Sequence, residues 1–138
     1  YVYPMFIILL PFETPRWMIL PLAFAVGFSI DMFNNTAGMH AAACVFIAFA
    51  RPWLIKRYTP ITGYENVNAP SLSELGVVWF ALFTLTVIFI HHSIYYFLQV
   101  FWMNDVGYLL LKIFLSTLVS TLLIVIFAFL FAKRKVKR

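Results

Sequence analysis

The chain is predicted to be an all-α, polytopic membrane helix bundle. Two uninterrupted apolar runs, 76–102 and 107–132, predict it, together with the closing segment Lys133-Arg134-Lys135-Val136-Lys137-Arg138. At ~1.5 Å rise per residue each run reaches roughly 40 Å as a helix, more than the ~30 Å hydrocarbon slab of a bilayer. The 138 residues are 64% hydrophobic, 20% aromatic and only 11% charged, a balance foreign to soluble domains. Mean hydropathy is +0.94. Five of the ten basic residues lie in the last six positions, so the net charge of +5 marks a juxtamembrane patch rather than a nucleic-acid surface. At about 1 kcal/mol per residue near an anionic leaflet, Lys133, Arg134, Lys135, Lys137 and Arg138 are expected among lipid headgroups. Cys44 is the single cysteine, which excludes an intrachain disulfide and a cysteine metal cage.

The elements follow in order. Residues 1–12 give only ~18 Å of helix, too short to cross alone, so they are expected to be a partial or re-entrant span. A chain that begins with Tyr1 further suggests that a helix precedes it. Residues 15–33 and 37–55 are just long enough to span, with Asp31-Met32-Phe33-Asn34-Asn35-Thr36 turning between them. The polar stretch 56–74 lacks periodicity and carries Pro60, Gly63, Asn66, Asn68 and Pro70, so it reads as a cytoplasmic loop. Spans 76–102 and 107–132 share a short turn through Asn104 and Asp105, which makes them antiparallel neighbours. The basic tail 133–138 places the carboxyl end in the cytoplasm. This threading puts nine basic residues on the cytoplasmic side and Lys112 alone in the outer half. Trp17, Trp53, Trp79 and Trp102 then fall near span ends, where indoles prefer the headgroup boundary.

Polar and small residues at membrane depth supply the candidate sites. Leu20, Ala23, Gly27, Asp31 and Asn34 share one face at 3.6-residue spacing, and Ala37, Ala41 and Ala48 answer from the next helix. Small residues let helices approach closely, so mutual packing is the favoured reading over a ligand cavity. Asp31 needs a partner at this depth. Asn34, Asn35, Thr36 and His40 are near enough to bond it or to cap the helix starting near Gly38. His91 and His92 point about 100° apart and cannot both ligate one metal from the same face. Thr84, His91, Tyr95 and Trp102 share a face instead. Neutral imidazoles bonded across the bundle to Ser116, Thr117, Ser120 and Thr121 are expected. Lys112 is expected to snorkel outward or to pair with Asp31 or Asp105. Glu13 and Arg16 beside Pro11 and Pro15 can pair with each other or with lipid phosphate. There is no Gly-rich phosphate loop, Ser-His-Asp set or paired carboxylate, so no enzyme activity, cofactor or metal is expected.

Leu10-Pro11-Phe12-Glu13-Thr14-Pro15-Arg16-Trp17, then Gly27-Phe28-Ser29-Ile30-Asp31 and Gly38-Met39-His40-Ala41-Ala42, resemble the bacterial rod shape-determining membrane protein family MreD. Ile90-His91-His92 is similar to one branch of that family. The resemblance implies a six-helix domain with both ends in the cytoplasm, of which the first helix is absent here. It implies a non-catalytic scaffold in the cytoplasmic membrane that binds MreC and works with MreB and the elongation peptidoglycan synthase pair. It also implies a fold similar to the substrate-binding subunits of vitamin transporters. That leaves an alternative function, a transporter subunit with Asp31, His91, Tyr95 and Trp102 lining a pocket. An intramembrane enzyme using His91, His92 and Asp31 on one metal is a third and weaker alternative.

Overall fold

A computed structural model describes residues 1–61, 63–65, 67–100 and 106–131 of the chain. Six helices follow in order: α1 (Met5–Leu9), α2 (Arg16–Asn34), α3 (Met39–Arg57), α4 (Leu72–Leu75), α5 (Val77–Gln99) and α6 (Val106–Phe131). The structure is all-helical, and α2, α3, α5 and α6 are long and apolar enough to cross a membrane. Trp102, Asn104, Asp105 and the tail 133–138 lie outside the described residues.

The four long helices pack in the order α2, α3, α5, α6. Each neighbour runs antiparallel to the last: Asp31 meets His40, Cys44 meets His91, Tyr58 meets Thr86, and Tyr96 meets Ser116. The central helices α3 and α5 contribute most of the buried side chains, whereas α2 and α6 bury a single stripe and expose the rest. On α6 that stripe is Leu109, Ile113, Thr117, Ser120, Thr121 and Ile124, and the exposed remainder is almost wholly apolar, including Phe114, Leu122 and Phe129. The ends of α2 are set by local chemistry. Pro15 in extended conformation precedes the first turn, and Asn35 closes the last in the left-handed region at φ 54°, its N–H donating to the Asp31 carbonyl.

Residues 1–12 do not form a longer span. One helical turn, α1, is wedged inside the bundle, with Ile7 and Ile8 buried against Ile47, Phe80, Phe83, Ile88 and Ile124. The turn stops at Leu10, whose φ of −57° and ψ of 146° are what a residue before proline adopts. The carbonyl oxygens of Leu10 and Pro11, freed by that break, accept from the Arg51 guanidinium, which is buried at the far end of α3.

The expected loop 56–74 is shorter than its composition suggested. Helix α3 continues through Arg57, and 72–75 form a helical turn capped by the Ser71 hydroxyl, which accepts from the Glu74 N–H. The remainder folds back onto the helix ends. Tyr64 Oη donates to the Ile55 carbonyl at 2.8 Å, and Trp79 Nε1 donates to the Tyr58 carbonyl at 2.6 Å, so both cap orphan carbonyls of α3. Burial pushes the Tyr64 phenol up from its ordinary value against an opposing hydrogen bond with Thr59. Phe12 and Tyr64 lie 4.4 Å apart, and Trp79 stacks on Phe83 at 4.9 Å. Trp79 therefore belongs to this aromatic cap and not to an outward-facing belt, whereas Trp17 and Trp53 are exposed.

Helices α2 and α3 come into backbone contact at Gly27. A Cβ there would stand 2.5 Å from the Ala41 Cα and 2.6 Å from the His40 carbonyl oxygen, both backbone atoms that cannot move alone. Gly27→Ala is expected to force α2 and α3 apart and to lower stability by about 1–3 kcal/mol, read as a depressed thermal midpoint of the purified protein.

Candidate functional site

Asp31 stands on the last turn of α2 and is 5% exposed. Its carboxylate accepts from the His40 N–H at 3.0 Å, the Ala41 N–H at 2.8 Å and the Thr36 hydroxyl at 2.6 Å. His40 and Ala41 are the second and third residues of α3, so these are the donors that a capping side chain normally satisfies. The residue at the cap position is Gly38, which has no side chain and sits at φ 83°. The preceding helix supplies the cap in its place, and the negative charge meets the positive end of the α3 dipole. Ala23, Gly27 and Ala41 are buried along the same contact.

Three expected members of this contact fall elsewhere. Asn34 is exposed, and its side chain donates to the Ile30 carbonyl, because the stripe Ile19, Ala23, Gly27, Asp31 runs out one turn earlier. Gly38 has open space beside it and serves the turn rather than the packing. Ala37 precedes α3 and is exposed.

From His40 a polar chain crosses the bundle. Its ring Nδ1 lies 2.5 Å from Tyr3 Oη, and the same oxygen lies 2.9 Å from His91 Nε2. A phenol has one proton, so Tyr3 donates to one imidazole and accepts from the other, which couples the tautomers of two helices. Cys44 Sγ approaches His91 Nε2 at 3.9 Å. His91 thus faces α3 and the N-terminal segment, not the hydroxyls of α6. His92 takes that direction, with Nδ1 3.3 Å from Thr117 Oγ1. Tyr96 Oη and Ser116 Oγ share a hydrogen bond of 3.0 Å, and Ser120 Oγ accepts from the Tyr1 backbone nitrogen at 2.8 Å. Tyr95 stacks on His40 at 4.3 Å. Lys112 is not bonded to Asp31: its Nζ lies over the rings of Tyr96 and Tyr108 at 5.2 and 5.8 Å. Asp31 is already committed to α3, and Asp105 lies outside the described residues.

The rings of Tyr1 and Tyr3 occupy the space between His40, His91, His92 and Tyr95, with centroid separations of 4.3 to 5.9 Å throughout the group. Asp31, His91 and His92 do not converge, and among the described residues no three His, Cys, Asp or Glu side chains are placed to hold a metal. A groove of about 660 Å³ lies on the outside of the α2–α3 hairpin between Phe24, Phe28, Met32, Ala42 and Val45, with Asp31 and Thr36 at one end.

Two site residues escaped the sequence reading. Nothing in the first twelve residues marks Tyr3 as the bridge, since its partners are 37 and 88 positions away. Arg51 was legible in principle: Pro11 inside an apolar run leaves carbonyl oxygens in need of a donor.

The fold and the site define a bundle of membrane-crossing length whose polar side chains bond one another between helices. No protein-family model, curated protein or solved structure matches this chain.

Asp31→Ala strands two buried N–H groups and is expected to cost about 1–3 kcal/mol, while Asn34→Ala stays within about 0.5 kcal/mol, both measurable by thermal unfolding in detergent. Tyr3→Phe removes one oxygen, leaving His40 Nδ1 without this partner and His91 Nε2 with only the long Cys44 contact. A loss of about 1–3 kcal/mol is expected in the same assay, and an unchanged midpoint would show that the bridge carries no stability.

Proposed function

We propose that the chain is a scaffold of the MreD type in the bacterial cytoplasmic membrane, with its carboxyl end in the cytoplasm. It binds MreC and helps couple peptidoglycan synthesis to MreB and the elongation synthase pair. The observation that carries this reading is how the polar side chains are used. Asp31 caps α3, His40 and His91 share Tyr3, and His92 meets Thr117, so each of these groups makes at least one bond that joins elements of the bundle.

The residues of the resemblance support it as well. Gly27 and Asp31 of its second stretch meet His40 and Ala41 of its third, so two stretches of sequence form one joint. The transporter alternative is less favoured, because Tyr1 and Tyr3 fill the place between His40, His91 and Tyr95 where a small molecule would sit. What the scaffold offers a partner is its outside: the groove beside Phe28 and Met32 and the apolar face of α6.

The tagged chain is expected to copurify with MreC from membranes of a rod-shaped bacterium. Phe28→Ala combined with Met32→Ala should lower MreC recovery several-fold at equal expression, since both side chains are exposed and outside the joint. Recovery of no MreC by the unaltered chain would overturn the reading.

A further inference from the structure

Tyr3 joins two helices through one atom. Its Oη lies 2.5 Å from His40 Nδ1 on α3 and 2.9 Å from His91 Nε2 on α5, and both imidazoles are buried. A phenol has a single proton to give, and a neutral imidazole carries its proton on one nitrogen and accepts on the other. Only two arrangements satisfy both bonds. Either His91 donates to Tyr3 and Tyr3 donates to His40, or His40 donates to Tyr3 and Tyr3 donates to His91.

The two lengths separate these arrangements. An N–H donor stands about 2.7–3.2 Å from an oxygen, most often near 2.9 Å, whereas a hydroxyl donor approaches to about 2.5 Å. The contact with His40 is too short for the first kind of donor and suits the second, so its proton belongs to the phenol. The contact with His91 has the length of a ring N–H donating to oxygen. The far side of the His91 ring agrees. Its Nδ1 is buried and reaches no acceptor in the protein. In the reverse arrangement Nε2 accepts from Tyr3 and the ring proton is driven onto Nδ1, where no protein group receives it.

We infer that the bonds run one way, from His91 Nε2–H to Tyr3 Oη and from Tyr3 Oη–H to His40 Nδ1, with both rings protonated at Nε2. Tyr3 is thus a positioning residue that accepts from α5 and donates to α3. Cys44 Sγ, 3.9 Å from the same His91 nitrogen, faces a donor and is left a weak acceptor's role.

Solid-state NMR on the full chain in lipid bilayers, with isotope-labelled histidine and tyrosine, tests this. Nitrogen shifts distinguish a protonated ring nitrogen from a bare one. His40 and His91 are both expected to be protonated at Nε2 and bare at Nδ1, with the Tyr3 hydroxyl proton in dipolar contact with His40 Nδ1. Tyr3→Phe should erase that contact and move the His40 Nδ1 resonance to that of a bare nitrogen with no donor, leaving the His91 Nδ1 resonance in place. A proton found on Nδ1 of either ring in the unaltered chain, or resonances averaged between the two tautomers, would overturn the inference whether or not the variant folds. An unmoved His40 Nδ1 resonance in a folded Tyr3→Phe chain would overturn it too.

Discussion

One carboxylate at the α2–α3 turn sets the geometry on which the rest depends. Asp31 takes the N–H groups of His40 and Ala41, and in doing so fixes how far along α2 the start of α3 is docked. The docking is close enough that only glycine fits at position 27. It also determines where the His40 side chain stands, and from there the order passes through Tyr3 to His91 on α5 and through His92 to Thr117 on α6. Each step joins a different pair of elements. In an apolar medium the helices have little hydrophobic reason to choose one register over another, so directional bonds of this kind select it.

Much of this architecture could be read from the residues. Hydropathy located all four long helices, and the boundaries differ by one to three positions because capping, not hydropathy, ends a helix. Pro15 and Asn35 delimit α2, and the indole of Trp79 and the phenol of Tyr64 close α3. The stripe of Ala23, Gly27 and Asp31 was visible from its period alone, since a close helix contact needs small residues repeated every turn. Asn34 continued that period on paper. In the structure Asn34 is the exposed last residue of α2, and its side chain bonds the Ile30 carbonyl instead.

What could not be read depends on contacts between distant positions. The wedge of residues 1–10 is held by α3, α5 and α6 together, and no local pattern encodes three partners at once. The same applies to His91 and His92. Adjacent histidines must diverge, yet which one meets α6 is decided by where Tyr3 is seated, a residue 88 positions earlier. Composition marked a loop at 58–71 but could not show that Tyr58 and Tyr64 anchor it to α5 and α3.

That anchoring gives the segment a mechanical character. Tyr58 is tied to α5 twice, by its carbonyl to Trp79 and by its hydroxyl to Thr86 at 2.6 Å. The spacing of those two partners along α5 is about two turns, so the attachment resists tilting as well as sliding. A load applied at Tyr64 is delivered to α3 through Ile55 and to the N-terminal wedge through the Phe12 N–H, which donates to the Asn68 carbonyl. The described residues of the segment therefore join α3, α5 and the N-terminal wedge, three parts of the bundle that are distant in sequence.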